Sequence, residues 1–522
     1  MKKNQILNLV ILVLAIGVFL MFSLKYIHFT YDDSFIIYRY AENLANGHGF
    51  SWNYDGIPEF GFTSYLHTIL IAAGIKLGFD PMSFGNIVTV FSGIITIIVV
   101  GLIVRELTEK KFEYYFLSSL VLGFLPAFGL HAISGMETIM FVSFFALSAY
   151  SYLVFLRTNK IKHLSILITL IIFTAFTRYE GALLSIGIIV HQIYNSWFLK
   201  NPTDFKKIII FCIPIMFVIG ILLVNNSYQD QYLPNPFHMK STTELSDLVR
   251  NSYSISFVLV LMIAHIFLIA LNFKEIIKNP KSSYFLIQIL VVLIPFLFIS
   301  QWGNFQHRYY MQIIPLIISL SIFSFYLIKP KIILGQKHPK FIIIIIIVVL
   351  VSYNLSTNWE VRSWADNFSD GLEQSHIKIG KILGNYDHLK HNTIATVVDA
   401  GAVPYYSGWQ VYDYSFNDRY TIQNGFTSEY FYQQNPVIIT LNSHVAYPHD
   451  DLVHLEDDII KYWQTKQGIG EKAWMSHPEF DNFKLIASYP QILIFVEKEF
   501  ANQNPQLMQE LIDNSSHPLT IP

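Results

Sequence analysis

The sequence is poor in cysteine and in charged residues. Cys212 is the only cysteine among 522 residues, which excludes a disulfide framework within the chain and any metal site built on several thiolates. Charged residues make up 14% of the chain, whereas soluble proteins carry about a quarter. The formal net charge is −2, so no basic field indicates a nucleic-acid partner. Hydrophobic residues, in contrast, reach 53%, which indicates a lipid bilayer.

The hydrophobic residues are gathered into long runs, which include 5–24, 83–104, 309–328 and 341–353. A helix that crosses a bilayer needs about 20 mostly apolar residues, and most of these runs approach that length. The run near the N-terminus lacks the small-residue cleavage site of a signal peptide, so we expect it to be retained as the first helix. The sequence therefore predicts a mainly α-helical, polytopic membrane protein.

Positive charge divides the connections between these runs into two groups. Lysine and arginine concentrate in every second connection, at 105–111, 157–162, 200–207, 274–281 and 329–340, and such connections stay cytoplasmic by the positive-inside rule. The short run 65–79 is interrupted by His67 and Lys76, so we predict an interfacial helix on the outer face. These assignments give about 11 spans and place the C-terminus and the unusual polar connections outside.

The hydropathy falls after residue 353. We predict two units: a transmembrane domain over 1–354, whose first outer loop is 30–81, and a soluble α/β domain over 355–522 outside the membrane. Apolar β-branched stretches predict strands at 393–398, 437–441 and 492–496, and helices are expected at 372–383 and 457–465.

Two adjacent carboxylates, Asp32 and Asp33, follow the first apolar run almost immediately. Aspartates favour the N-terminal turn of a helix, so the pair could serve only to begin a helix near Phe35. Alternatively, one carboxylate accepts a proton from a hydroxyl while the other orients a ligand or helps to hold a metal ion. The two interpretations are compatible.

The segment that starts at these carboxylates resembles a known family. It reads Asp-Asp-x-Phe-Ile-x-x-Arg-Tyr-Ala-x-Asn-Leu-Ala-x-Gly-His-Gly over 32–49, followed by Glu-x-Gly-x-Thr-Ser over 59–64. This pattern resembles the first outer loop of GT-C type transferases that include the mycobacterial cell-wall arabinofuranosyltransferases and their bacterial relatives. Further pieces at 134–138, 178–181, 232–240 and 399–408 resemble that family in the same order.

Two departures from the family's pattern affect particular positions. Tyr179 replaces the usual proline of Arg-Pro-Glu-Gly, which leaves the backbone less constrained there. The stretch 301–309 lacks the aspartate that the family often carries before its arginine. The missing aspartate leaves open the donor sugar and any metal ion at this loop.

The resemblance implies an inverting glycosyltransferase that uses a polyprenyl-phosphate sugar donor and a cell-envelope glycan or glycolipid acceptor at the outer face of the cytoplasmic membrane. Catalytic roles are expected for Asp32, Asp33 and Glu137, with Asp32 as the base. Asp32 and Glu137 are the predicted ligands if a divalent ion, Mg²⁺ or Mn²⁺, takes part. Substrate contacts are expected for Arg39, His48, Arg178, Glu180, Asn235, His238, Lys240, His307, Arg308 and Asp399.

A phosphate leaving group needs positive charge, and Arg308 has the forked donor geometry that binds phosphate best. Its alternative role is interfacial anchoring, since Arg and Lys near helix ends extend toward headgroups. Two other functions remain open. A transporter or flippase for lipid-linked sugars also carries ionisable residues among many helices, and a membrane receptor would account for the outer domain but not for the polar loops.

Overall fold

The computed structural model describes residues 3–200, 205–240, 252, 255–256, 262–299, 304–335, 358–397, 399–413, 417–442, 474–515 and 517–518. Helices dominate the first two thirds of the chain: α1 Lys3–Lys25, α2 Asp32–Asn46, α3 Tyr65–Lys76, α4 Pro81–Leu107, α5 Phe112–Gly123, α6 Pro126–His131, α7 Thr138–Thr158, α8 Ile161–Thr177, α9 Leu183–Trp197, α10 Phe205–Ile210, α11 Ile213–Gln229, α12 Asn235–Lys240, α13 Ile263–Leu271, α14 Phe273–Lys278, α15 Pro280–Leu293 and α16 Ile314–Gly335. Short 3₁₀ turns lie at Tyr179–Ala182, Pro295–Leu297 and Phe305–Ile313.

Five helical segments in the described part of the chain are long and apolar enough to cross a bilayer: Pro81–Leu107, Thr138–Thr158, Lys206–Tyr228, Pro280–Leu297 and Phe305–Ile328. Shorter apolar helices are Leu9–Lys25, Tyr65–Lys76 and Ile161–Thr177. The helix at Tyr65–Lys76 has 12 residues, fewer than the roughly 20 that a span needs. The predicted span at 341–353 lies outside the described residues, so the count of eleven stays a prediction.

The C-terminal third folds into a mixed α/β unit. Its helices are α17 Asn358–Leu372, α18 Lys378–Gly384, α19 Ala402–Ser407, α20 Arg419–Asn424, α21 Ser428–Gln433, α22 Lys498–Gln503 and α23 Pro505–Asp513, and short turns lie at Glu373–Ile377, Asp387–Leu389 and Pro478–Asn482. Its strands are β1 Thr393–Val397, β2 Gln410–Asp413, β3 Pro436–Asn442, β4 Phe483–Ser488, β5 Ile492–Glu497 and β6 His517–Pro518.

These strands form one sheet in the order β2-β1-β3-β5-β4-β6. β1 pairs in parallel with β2 and β3, whereas β5 pairs antiparallel with β3 and β4, and β4 pairs antiparallel with β6. The strand predictions at 393–398, 437–441 and 492–496 are confirmed by β1, β3 and β5. The helix predicted at 372–383 is present with a π-helical turn, and the one at 457–465 lies outside the described residues.

Loop 30–81 and the sheet share one hydrophobic core. Tyr40 and Trp52 of the loop belong to the same buried cluster as Ile394 and Ile438 of the central strands. Arg39 reinforces this junction, because its guanidinium donates to the carbonyls of Trp52, Pro404 and Trp409 and to the Asn53 side chain. Loop 30–81 and the C-terminal unit are therefore packed together, and this packing fixes the position of α2.

Candidate active site

The N-terminal turn of α2 carries the two adjacent aspartates. Tyr31 is the N-cap residue, with φ −81° and ψ 147°, and no side-chain hydrogen bond caps the helix. Successive residues of a helix point about 100° apart, so the carboxylates of Asp32 and Asp33 enter different surroundings. Asp33 lines a cavity between loops, whereas Asp32 is buried against the C-terminal unit.

The cavity has an empty volume of about 870 Å³ and opens to solvent. Five charged side chains line it: Asp33, Glu137, Arg178, Glu180 and Arg308. They come from the first outer loop, the start of α7, the turn after α8 and the turn before α16. The remaining wall is formed by loop backbone at 61–64 and by apolar side chains that include Met136, Phe237 and Tyr309. Segments distant in sequence therefore converge on one polar cavity.

Arg308 extends from the 3₁₀ turn before α16. The two residues before it, Gln306 and His307, have left-handed backbone angles, with φ values of 46° and 62°. Such angles cost free energy in residues other than glycine and are concentrated at functional sites. Arg308 Nη2 donates to Asp33 Oδ2 at 2.8 Å, and the guanidinium lies 5.3 Å from the centre of the Tyr31 ring.

Two donor atoms of Arg308 lack partners in the part of the chain that the structure describes. Nε and Nη1 are buried and make no hydrogen bond there, although the side chain is only 3% exposed. Leaving buried charged donors unsatisfied is costly. Because Arg308 lines the cavity, these donors indicate a place for an anionic ligand.

Arg178 joins the two glutamates of the cavity. It follows the end of α8 with extended backbone angles, and its guanidinium nitrogens lie 3.0 Å from Glu137 Oε1 and 3.0 Å from Glu180 Oε1. The second oxygen of Glu137, Oε2, is buried without a hydrogen-bond partner among the described residues. Arg178 is thus engaged by carboxylates, while Glu137 keeps one acceptor oxygen for a donor such as a hydroxyl.

Asp32 binds the start of α19. Its Oδ2 accepts from the Gly401 backbone N–H and its Oδ1 from that of Ala402, both at 2.8 Å. Burial raises the pKa of Asp32 to about 7, while the charge of His376 lowers it and that of Asp399 raises it. Asp32 is not among the residues that line the cavity, so the structure places the predicted base outside this cavity.

His376 and Asp399 form a hydrogen-bonded pair whose charges act on Asp32. His376 Nε2 is 2.9 Å from Asp399 Oδ2, and Ser375 Oγ is 2.9 Å from His376 Nδ1. The side-chain amide of Asn442 also donates to Asp399 Oδ2. Burial lowers the pKa of His376, but the hydrogen bond with Asp399 and the charges of Asp32 and Asp399 raise it above the usual value.

Five other predicted substrate contacts are not among the residues that line this cavity: Arg39, His48, Asn235, His307 and Asp399. Arg39 uses its donors on protein acceptors at the interdomain junction, as described above. His48 is exposed with its ring edge toward Tyr54, and His307 is half-buried beside Arg308. Asn235 is buried, and its backbone N–H donates to the Phe60 carbonyl at 3.1 Å.

Asn235 begins α12, whose next residues, Pro236 and Phe237, do line the cavity. His238 and Lys240 belong to the same helix, but their side chains lie outside the described residues. His376 was not predicted from the sequence, because a histidine in a polar helix has no local pattern that indicates its partners.

The predicted metal ligands do not form a metal site in this geometry. Among the described residues, no group of three or more His, Cys, Asp or Glu side chains is placed to hold a metal ion. Both oxygens of Asp32 already accept backbone N–H groups, and Glu137 is paired with Arg178.

Comparison with known proteins supports the fold through structure. No protein-family profile and no curated protein sequence matches the chain. ArnT from Cupriavidus metallidurans, solved with undecaprenyl phosphate, is similar with a TM-score of 0.60 at 11% identity, over 95% of this chain and 98% of that one.

Two structures of the Archaeoglobus fulgidus oligosaccharyltransferase are also similar. The complex with Zn and sulfate has a TM-score of 0.56 at 11% identity, over 93% of this chain and 73% of that one. The AglB complex with an inhibitory peptide and a dolichol-phosphate has a TM-score of 0.57 at 10% identity, over 85% and 70%. The resemblance to arabinofuranosyltransferases in particular stays a prediction. At the level of architecture, the chain has the GT-C fold of membrane glycosyltransferases.

Proposed function

We propose that this chain is an inverting glycosyltransferase of the cytoplasmic membrane. In this proposal it moves a sugar from a polyprenyl-phosphate donor to a cell-envelope glycan or glycolipid on the outer face. The observation that carries the proposal is that buried Arg308, which lines the cavity, has two donor atoms without a partner among the described residues. A phosphate offers the oxygens that match a guanidinium fork. Neighbours solved with undecaprenyl phosphate and dolichol-phosphate share the fold.

An apolar groove beside the cavity suits the lipid part of such a donor. Its empty volume is about 1370 Å³, and it is lined by aromatic and aliphatic residues that include Phe50, Phe60, Phe176 and Phe217. Different residues of segment 58–65 line the two spaces: Pro58, Phe60 and Tyr65 line the groove, and residues 61–64 line the cavity. An isoprenoid chain in the groove would place its phosphate near the charged cavity, because the two spaces share this segment.

Asp33 is the proposed base and Glu137 the proposed acceptor-orienting group. Asp33 lines the cavity with 36% of its side chain exposed, so an acceptor hydroxyl can reach it. Glu137 offers the buried oxygen Oε2. The sequence-based assignment of Asp32 as the base is therefore replaced here by its neighbour, since the Asp32 oxygens bind Gly401 and Ala402.

In the proposed reaction, an acceptor oxygen forms a bond to the anomeric carbon while the bond from that carbon to the phosphate oxygen breaks. The hydroxyl proton passes to the carboxylate of Asp33. The polyprenyl phosphate leaves with the electron pair of the broken bond, and Arg308 stabilises its negative charge. Attack opposite the leaving group inverts the anomeric centre.

The test uses purified full-length protein and synthetic polyprenyl-phosphate sugars. Both hexosyl and pentosyl donors are included, because the sequence does not identify the donor sugar. Asp33→Asn should lower kcat by about 100-fold or more, the range of general-base catalysis. Asp366→Asn is the matched control, because that carboxylate is 58% exposed on α17, and it should keep full activity.

Full transfer by Asp33→Asn would exclude Asp33 as the base. If the wild type transfers no sugar from any donor but moves lipid-linked sugar across vesicle membranes, the glycosyltransferase proposal is wrong and the flippase function is favoured.

A further inference from the structure

The turn that presents Arg308 has an unfavourable backbone conformation. Gln306 and His307, the two residues before Arg308, have φ values of 46° and 62°. Left-handed angles in residues other than glycine cost free energy and persist only where the surrounding structure holds them. Histidine adopts such angles more often than most residues do, but glutamine has no such preference. The contacts made by residue 306 therefore decide whether the turn keeps this shape.

His131 makes one of these contacts. Its Nε2 lies 3.0 Å from the backbone carbonyl oxygen of Gln306, which is 175 positions away in the sequence. A carbonyl oxygen only accepts hydrogen bonds, so Nε2 carries the ring proton and donates. The His131 side chain is fully buried, and this burial lowers its pKa to about 4. Near pH 7 the ring is therefore neutral and has a single N–H, which Gln306 accepts.

The ring of His131 is itself held in place. His131 is the last residue of α6, and the Ser134 hydroxyl donates to its backbone carbonyl at 3.1 Å. Its ring stacks on that of Tyr31, with centroids 6.2 Å apart and an angle of 26° between the planes. The Tyr31 hydroxyl donates to the backbone carbonyl of Phe305 at 3.4 Å. Two stacked side chains thus bind two successive carbonyls of the turn.

These carbonyl contacts affect the direction of Arg308. Rotation of residues 306 and 307 to negative φ would turn the chain that leads directly into Arg308. In the observed conformation its guanidinium lies 5.3 Å from the centre of the Tyr31 ring and donates to Asp33. His131 is not among the residues that line the cavity. It therefore acts on the cavity through the backbone of the turn.

We propose that His131 is a positioning residue for Arg308: its Nε2–H holds the Gln306 carbonyl, keeps residues 306 and 307 left-handed, and so directs the guanidinium toward Asp33 and the cavity. This inference rests on the proposed function for its effect on polyprenyl phosphate. The backbone contact itself can be measured in a protein that transfers no sugar.

The first experiment measures the binding of sugar-free polyprenyl phosphate to detergent-solubilised full-length protein. His131→Leu removes the donor and should weaken binding about 5-fold, which corresponds to the loss of one ordinary hydrogen bond. His131→Gln should recover most of this loss, because its side-chain amide also donates. His191→Leu is the control, since His191 is equally buried and lies 2.7 Å from the Tyr152 hydroxyl. This control should bind polyprenyl phosphate as the wild type does.

Substitutions at residue 306 test the backbone conformation while His131 is kept. The side chain of Gln306 is half-buried, so its replacement disturbs little packing. Gln306→Val introduces a β-branched residue, which resists positive φ, and should weaken binding as His131→Leu does. Glycine adopts positive φ readily. Gln306→Gly should therefore restore binding when it is combined with His131→Leu.

Amide hydrogen exchange over residues 304–309 needs no ligand. The Tyr309 N–H donates to Asn304 Oδ1 at 2.9 Å, which closes the turn. His131→Leu should raise the exchange rate of this amide about 5-fold, because local opening becomes easier when one hydrogen bond is lost. His131→Gln and His191→Leu should exchange as the wild type does.

Wild-type affinity in His131→Leu would overturn the positioning role. So would failure of His131→Gln, or of the added Gln306→Gly, to recover binding. Where His131→Leu does not fold, Gln306→Val decides, and wild-type affinity in that variant would overturn the role of the left-handed turn. If the wild type binds no polyprenyl phosphate, the proposed function fails and hydrogen exchange alone decides the contact. Equal exchange at Tyr309 in wild type and His131→Leu would then contradict it.

Discussion

Replacement of Arg308 by lysine tests the phosphate site most directly, because lysine keeps the positive charge but lacks the forked donor geometry of the guanidinium. In the structure one nitrogen of Arg308 binds Asp33 at 2.8 Å, and two further nitrogens are unpartnered within the described residues. A lysine ammonium is a single point of charge and cannot bind Asp33 and a phosphate with the same parallel geometry.

The expected loss follows from the contacts that lysine cannot make. One charge-assisted hydrogen bond contributes about 1.5–3 kcal/mol, and about 1.4 kcal/mol corresponds to a tenfold change in a dissociation constant. Arg308→Lys should therefore weaken the binding of polyprenyl phosphate by about 10- to 150-fold. The same variant should lower kcat further, because leaving-group charge is greater in the transition state than in the bound donor.

Binding is measured with polyprenyl phosphate that carries no sugar, on detergent-solubilised protein, so that the result does not depend on transfer. Arg362→Lys is the matched control, because Arg362 is 55% exposed and forms an ion pair on the surface of α17. Arg308→Lys that binds polyprenyl phosphate as tightly as Arg362→Lys would refute the assignment of Arg308 to the phosphate.

Two further substitutions test the junction between the loop and the C-terminal unit. Arg39→Met should lower the unfolding free energy by about 3 kcal/mol or more, since it leaves several buried carbonyls without a donor. Melting curves of this variant and of an Arg362→Met control measure the change in stability. A large change in the affinity for polyprenyl phosphate would contradict a purely structural role of Arg39. Gly401→Ala should reduce transfer by about 100-fold, the cost of a displacement near 1 Å in an active site, because its Cβ would meet Asp32 at 2.0 Å. Gly17→Ala, with nothing within 4 Å of the added Cβ, should be silent, and equal rates for these two glycine variants would exclude a tight contact at Gly401.

Local patterns predicted three strands of the C-terminal unit. The β-branched stretches at 393–398, 437–441 and 492–496 became strands because they are buried on both faces of a sheet. The order of these strands, and the antiparallel pairing of β5 between β3 and β4, could not be derived from the same patterns. Strand order depends on contacts between distant segments, which periodicity does not encode.

The candidate site was predicted in part. Asp33, Glu137, Arg178, Glu180 and Arg308 do line one cavity, as the resemblance of their separate motifs implied. Each of these motifs lies near the end of a helix. Helix ends lie at the surfaces of a bundle, so motifs that are far apart in sequence can meet there.

The different fates of the two adjacent aspartates were decided by tertiary structure. In the sequence, the two aspartates are equivalent carboxylates at the start of a helix. Because successive helical residues point about 100° apart, Asp33 faces the cavity and Asp32 binds the backbone of 401–402. The pairing of His376 with Asp399 was also decided by tertiary structure, because no local pattern connects these two positions.

The sequence by itself determined that the chain is apolar enough for a bilayer, where its short polar loops lie and which residue types those loops carry. These properties follow from composition and periodicity, which are local. The tertiary structure decided which carboxylate faces the cavity, that Arg39 joins two units and that Asp32 binds the backbone of 401–402. These depend on close approaches between segments hundreds of residues apart, such as Asp32 and Ala402, and only the packed chain defines them.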